Sequence, residues 1–447
     1  MDIPGDEPNT KSWQLSWRTA AITLPALLLL YFIRPWLHPF IIGVYRNPFI
    51  IQAVLIAALT AGFTWHTTRK TTVAYNTGLA VGAAFLLIGS FLNAPYQGVA
   101  MADDLEEQAT ATDTLPNVSV DHPRILPRSV ASRYAQNSLQ EPRHRLSDGD
   151  IAIAPDGTPQ WSYALRPDGG LNTFIVKQKG AAFVNMSTSS SDITFDNDEM
   201  SVGVGTQITD NIHWQLRKSA YFVSYADPFV YQGTDALRIA TPYIEYDYEF
   251  RFPILYTVPK WGGVAVTDQD GTTTYVDDAD VASHNELSEQ RTYPFSLARR
   301  YIASNKYRNG IINKWFFHED QLEVAPVPGQ GNDQPFMVLT EDNPELFVAT
   351  EPYGDASGLF EIWTVDAVTG DYEQFALDRD QGLIGADKAV SFVRQANSRV
   401  TWASRGDDNG FTPIEPLPVV VNNTLYWQIR VVPVDSAGVA FTAFVNA

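Results

Sequence analysis

Apolar positions are distributed along this chain in two different ways. Within the first hundred residues they form three nearly uncharged runs, 20–33, 48–65 and 77–92. The second and third are long enough to cross a bilayer as helices. The first reaches that length if it begins near Leu15 and Arg18 extends its charged end to the headgroups. No A-x-A-like cleavage site follows the first run, but Arg34-Pro35-Trp36 does, so it reads as a retained anchor rather than a signal peptide. A further apolar piece, 39–44, is too short to span and is expected at the membrane interface. The pattern predicts a membrane anchor of three transmembrane helices over 1–101.

Beyond residue 101 the pattern becomes short and alternating. Residues 102–126 read as a polar linker that continues the third helix. After it, amphipathic helices at 127–139, 295–304 and 386–396 precede antiparallel hairpins. In the last helix Ala389, Phe392, Val393 and Ala396 share one face. The clearest hairpin spans 345–376, with alternation through Leu346–Val348 and Phe360–Val365 and a second turn at Thr369-Gly370-Asp371. Similar hairpins are predicted from Leu425, from Phe252 and, more loosely, from Pro159. In each, an aromatic-containing strand ends in a Pro-containing turn and a small residue opens the return strand. The expected fold class is α+β: three N-terminal transmembrane helices followed by about four helix-plus-antiparallel-hairpin units. Units 1–2 are placed at 127–285 and units 3–4 at 286–447. The chain given stops in a strand-like run, so that strand is expected to pair within its own sheet or with a partner.

Charge sharpens this picture. Residues 1–101 hold six Lys/Arg and three Asp/Glu, whereas 102–447 hold 25 and 48. Lys11, Arg18, Arg69 and Lys70 lie on one side of a three-span anchor, and only Arg34 and Arg46 on the other. The positive-inside rule puts the N-terminus inside and residues 102–447 outside. Three N-x-S/T acceptors, Asn117, Asn185 and Asn422, fall in that exterior part and are candidate glycosylation sites. An exterior this acidic repels nucleic acid, so no nucleic-acid partner is expected. With no cysteine there is no disulfide framework, and hydrophobic cores must hold the exterior together. The acidic, cysteine-free composition, with nine Lys against 22 Arg, resembles that of proteins from haloarchaea and their viruses.

The phrase "GLFEIWTVDAVTG" adds a family likeness. With Asp366, Ala367, Thr369 and Gly370 closing its return strand, it resembles the PepSY-type module of peptidase propeptides and related exported proteins. Asp268-Gln269-Asp270-Gly271 resembles the same ending loosely, and Asn446-Ala447 resembles its beginning. The run from Ser219 to Ile302 is similar to uncharacterised bacterial and phage membrane proteins built from such repeats. The resemblance covers roughly residues 127–447. It implies a cystatin-like helix-on-sheet unit and no enzymatic activity.

Catalytic motifs do not stand out. The seven histidines (His38, His66, His122, His144, His213, His284, His318) form no zinc-protease pattern, and there is no nucleophile elbow or phosphate-binding loop. His318-Glu319-Asp320 reads as a loop at a helix end, with a metal-site fragment as the alternative. Asp277-Asp278-Ala279-Asp280 reads as a helix N-terminus rather than a cation site. Asp268-x-Asp270-Gly271 reads as a hairpin turn. The aromatics Trp261, Tyr293, Tyr301, Trp315, Phe316 and Phe317 read as core before they read as a sugar- or peptide-binding face. No catalytic residue, metal ligand or cofactor site is assigned. Small residues in the spans (Ala57, Ala58, Ala61, Gly62, Gly78, Gly82) are expected to pack the anchor or let it self-associate.

The sequence therefore predicts a non-enzymatic, membrane-anchored envelope or virion protein. Its partners would be membrane lipids through 1–101 and other envelope or virion proteins, with homo-oligomers as an alternative. The rival expectations are a PepSY-type regulator or chaperone of an exported peptidase, and a surface glycan-active enzyme using paired carboxylates.

Overall fold

The computed structural model describes residues 17–119, 121, 123–327, 334–340, 343–354, 358–377, 382–404, 409–421 and 424–447. Three helices, α1 (Trp17–Tyr45), α2 (Phe49–Thr68) and α3 (Thr71–Gln108), are each long and apolar enough to cross a membrane. The 39–44 piece is not separate, because it forms the last turns of α1. Pro35 deprives the Tyr31 carbonyl of its helical donor, and the Arg34 side chain donates to that oxygen at 2.9 Å. α2 and α3 pack antiparallel along a seam of small residues. A Cβ on Gly78 would lie 2.7 Å from the Ala57 carbonyl, and one on Gly82 would lie 2.7 Å from the Ala57 side chain. Ala58 and Gly62 point away from this seam. α1 packs instead on the exterior domain.

α3 is 38 residues long and runs on past its apolar stretch. Its last turns enter the domain formed by the rest of the chain, where Met101 and Leu105 are fully buried in the main hydrophobic core. The linker expected at 102–126 is thus part helix. It continues into a short strand, β1 (Thr110–Thr112), and an extended segment leading to α4 (Arg128–Ser138).

Four sheets follow. The first holds β2 (His144–Leu146), β3 (Asp150–Ile153), β4 (Pro159–Pro167), β5 (Gln178–Asn185) and β6 (Ile193–Met200), with a helical turn, α5 (Asn172–Ile175), between β4 and β5. Helix α6 (Ile212–Ser219) leads to the second sheet. That sheet comprises β7 (Ser224–Tyr225), β8 (Phe229–Gln232), β9 (Leu237–Arg251), β10 (Ile254–Asp268) and β11 (Thr273–Asp277). After α7 (Asp278–Val281) and α8 (Phe295–Ile302), the third sheet joins β12 (Leu322–Val324), β13 (Phe336–Leu339), β14 (Pro344–Pro352), β15 (Glu361–Asp366) and β16 (Tyr372–Ala376), with β1 parallel to β16 at one edge. Helix α9 (Ala386–Ala396) packs on the last sheet, β17 (Phe411–Val421), β18 (Thr424–Pro433) and β19 (Phe441–Asn446).

The mixed α+β class and the apolar N-terminal helices match the sequence reading. So do the hairpins near Pro159, Glu345 and Leu425. The hairpin expected from Phe252 is different. Pro259 does not turn the chain, since β10 is one 15-residue strand paired with β9 along its length, and its only irregularity is a bulge between Trp261 and Gly263. β11 pairs β10 only from Gly263 onward, so the missing N–H of Pro259 breaks no ladder on that side. The second sheet also has a preceding helix, α6, that its sequence does not announce. One core runs from Ala100 on α3 through all four sheets to Val432 on β18, across the boundary expected at 285/286.

Two predictions follow from this packing. Gly82→Leu overpacks the α2–α3 seam and should lower unfolding stability by about 1–3 kcal/mol, read as a shifted midpoint in detergent titration. Gly62→Leu, facing open space, should leave the midpoint in place. At the end of β14, burial, reinforced by nearby Asp387, raises the Glu351 carboxyl to about 7. Because this folded-state value lies above the ordinary 4.5, the protonated form is favoured by folding. Its stabilisation is complete below pH 4.5 and is lost as pH rises through 7. Glu351→Gln should therefore raise Tm at pH 8 and leave it nearly unchanged at pH 4.

Candidate functional site

The first, third and last sheets, α4, α8 and the β7–β8 connection converge on a cleft of about 510 Å³. Arginines dominate its lining, in a chain of net charge −20. Arg124 comes from the segment before α4 and Arg128 from the first residue of α4. Arg291 precedes α8, and Arg299 lies within it. Asp150 on β3, Asp227 before β8 and Glu415 on β17 supply the carboxylates, while Trp161 and Phe295 supply apolar walls.

Glu415 organises one side. It sits where the pairing of β17 with β18 is interrupted between Ile414 and Leu417, and its backbone adopts φ +43°. That left-handed conformation is costly for a residue with a side chain. It aims the carboxylate inward, where one oxygen accepts from the Arg124 guanidinium at 2.8 Å and the other from the backbone N–H of Arg128 at 2.8 Å. Arg124 also donates to the Met337 carbonyl at 2.9 Å and lies 5.0 Å from the Trp161 ring. Behind it the fully buried Arg430 donates to the Arg124 and Ile125 carbonyls. Burial lowers the Arg430 guanidinium to about 9.

Arg291 organises the other side. It meets Asp150 at 2.8 Å and is sandwiched between the Phe229 and Phe295 rings, at 4.8 and 4.5 Å. Burial pushes the Asp150 carboxyl above its ordinary range even with Arg291 beside it. Arg299 donates to the Gln334 carbonyl at 2.6 Å. The Nε groups of the buried Arg124 and Arg291 have no hydrogen-bond partner. The Arg128 side chain is half-exposed, and its guanidinium lies 4.0 Å from the solvent-open carboxylate of Asp148. The half-exposed Arg128 guanidinium, in a cleft with aromatic walls, suits a planar oxyanion such as a carboxylate.

No sequence motif marks this cleft, since its arginines are spread over 175 residues. The residues that the sequence did single out lie elsewhere. Asn117 is exposed in a second groove between the 114–119 segment and the last sheet. Asn185 ends β5, where its amide donates to Asp192 at 3.0 Å and its carbonyl oxygen accepts from Ser187 N–H. Asn422 and His122 lie outside the described residues. His318 stacks on Tyr353 at 4.2 Å and bonds Gln321. Asp277 precedes α7 without a side-chain cap bond and instead accepts from the Tyr243 hydroxyl at 3.3 Å. Asp270 accepts from Thr272 N–H in the β10–β11 turn. Of the aromatic group, Trp261, Tyr293 and Tyr301 are core, whereas Trp315, Phe316 and Phe317 are exposed. Among the described residues no three His, Asp or Glu side chains gather to hold a metal ion.

In comparisons with known proteins, the sequence matches no family model and no curated protein. Among solved structures, the polysaccharide lyase Uly1 aligns over 68% of this chain and 58% of its own, at 10% identity and a TM-score of 0.18. A likeness at that score carries no argument about fold or activity.

The Arg124–Glu415 pair gives a direct test of how the cleft is built. Glu415→Gln leaves a buried guanidinium uncompensated and should cost about 3–5 kcal/mol in chemical unfolding. Adding Arg124→Met should recover much of that loss.

Proposed function

We propose that this chain is a non-enzymatic envelope protein of a haloarchaeal cell or of a virion. In this reading the N-terminus is inside and residues 102–447 face outside, where the arginine-lined cleft takes up an acidic group of a neighbouring envelope protein. The observation that carries the reading is the cleft itself, where four guanidinium groups are concentrated in one place on a strongly acidic chain. The continuation of α3 from the anchor into the exterior core supports it, because the cleft is then held at a set height above the membrane. Composition supports the habitat, and the Lys/Arg asymmetry of the anchor supports the orientation. Proteins adapted to high salt carry many surface carboxylates, so an arginine cleft is complementary to neighbours of the same kind. We also read the repeated helix-then-hairpin order as copies of one PepSY-related unit, with the second copy merged into the long β9–β10 ribbon.

Cross-linking in intact cells or particles at native salt, with carboxylate-reactive linkers, tests the proposal. Links to abundant envelope proteins are expected. They should fall about a hundredfold or more in Arg128→Glu/Arg299→Glu, because each of the two charge-assisted contacts is worth ~1.5–3 kcal/mol. A dominant link to one exported hydrolase, unchanged in that variant, would contradict the proposal. Links to interior proteins alone would contradict the orientation.

A further inference from the structure

The exterior domain leaves a set of large apolar side chains uncovered, and they are not scattered. Among the described residues beyond 101, fifteen large hydrophobic side chains are exposed, and eleven fall in four segments. The first is the π-helical turn Asn313–Phe317 with the preceding Ile312. Phe316 and Phe317 are 72% and 73% exposed there, and the Trp315 ring lies 5.4 Å from that of Phe91 on α3. The second is the tip of the β9–β10 ribbon, with Phe250 and the 81% exposed Phe252. Tyr96 of α3 donates to the Phe252 carbonyl at 2.8 Å, and Tyr248 donates to the Tyr45 carbonyl at the end of α1 at 3.0 Å. The third is Phe222, 5.1 Å from the Tyr45 ring. The fourth is α5 with Leu171, Phe174 and Ile175. It is tied through Thr173 and Gln207 to the start of α6, and Trp214 on α6 packs 5.1 Å from Trp36 on α1.

Each segment therefore touches a membrane helix, or the element that packs on one, at the end nearest the exterior domain. The exposed rings continue the lipid-facing surface of those helices, where Phe91 and Trp36 are themselves exposed. Arg34, Arg46, Lys218 and Lys314 lie among them, with Arg46 over the Tyr246 ring and Lys314 over that of Tyr307. Aromatic rings interleaved with cations suit the headgroup layer of a bilayer. The carboxylates of Asp103 and Asp104 lie about 18 Å further along α3 than Phe91, at 1.5 Å rise per residue, beside Arg251 and Glu249 at the ribbon tip.

We infer that the underside of the exterior domain is a lipid-binding collar, in which these four aromatic segments insert into the outer-leaflet interface around the three membrane helices. The inference rests on the reading of those helices as membrane-spanning. The occupant is lipid, because the surface is continuous with helices already apolar enough to cross a membrane.

The absence of cysteine makes single-site spin labelling direct. The full chain, reconstituted in phosphatidylcholine–phosphatidylglycerol vesicles, would carry one label from Phe174→Cys, Phe252→Cys or Phe317→Cys. Leu59→Cys on α2 and Ser129→Cys on α4 would serve as membrane and water references. Accessibility to oxygen against a nickel chelate reads depth. The three collar labels should fall between the references, with oxygen favoured several-fold over their value at Ser129. Collar labels equal to Ser129, with Leu59 still in lipid, would overturn the collar and leave the anchor standing. Labels shielded from both oxygen and nickel would mean a covering second copy and would also overturn it. If Leu59 itself read as aqueous, the membrane reading would fall first and the collar with it.

Discussion

The structure depends on one helix whose surroundings change along its length. The N-terminal turns of α3 are mostly exposed and apolar enough to cross a membrane, and its C-terminal turns, from Pro95 to Leu105, are largely buried in protein. Hydropathy marks the change only gradually, since the apolar run ends at Leu92, Asn93 and Gln97 follow, and charges begin at Asp103. Side-chain size carries the rest of the switch. Gly78 and Gly82 admit α2, Gly89 admits Phe49, and Gly98 admits the Tyr307 ring, each where a Cβ would collide with its neighbour. A helix packed at both ends by such close approaches has no hinge between anchor and exterior domain.

Polar contacts reinforce that joint where the apolar helices meet the rest of the chain. Asn93 donates to Asn47 across the α2–α3 pair, and Gln52 accepts from the Leu255 backbone. His38 meets the Val223 carbonyl at 3.0 Å, and Tyr221 donates to the Arg34 carbonyl at 2.9 Å. These groups need partners because the boundary is crowded by protein. Partners come from β10 and from the segment between α6 and β7, so the second sheet is oriented by the anchor. The cleft, lined by the first, third and last sheets, by α4 and α8 and by the β7–β8 connection, inherits that orientation through the shared core.

How much was legible depends on the range over which each signal acts. The α9 helix and the β14–β15 hairpin are local, and both were readable from spacing, but the face of α9 that is buried is Ala386, Ala389, Val390 and Val393, with Phe392 and Ala396 exposed. Prolines misled the reading where strand context overrode them. Pro259 sits where β10 has a partner on one side only, and β17 tolerates Pro413, Pro416 and Pro418 because it is the edge of its sheet. The cleft was not readable at all. Arg124 and Glu415 are 291 residues apart, and their pairing needs a left-handed backbone at a glutamate that no local propensity predicts. Likewise Trp315, Phe316 and Phe317 read as core, because sequence cannot tell burial in protein from exposure beside a membrane.

The central claim is that anchor and exterior domain form one body joined through α3. Pulsed electron resonance between labels at Leu59→Cys on α2 and Ser129→Cys on α4, in lipid vesicles, measures this directly. The account predicts a single narrow distance distribution that does not change with salt. A broad or multi-peaked distribution would show the exterior domain swinging on its anchor and would contradict it.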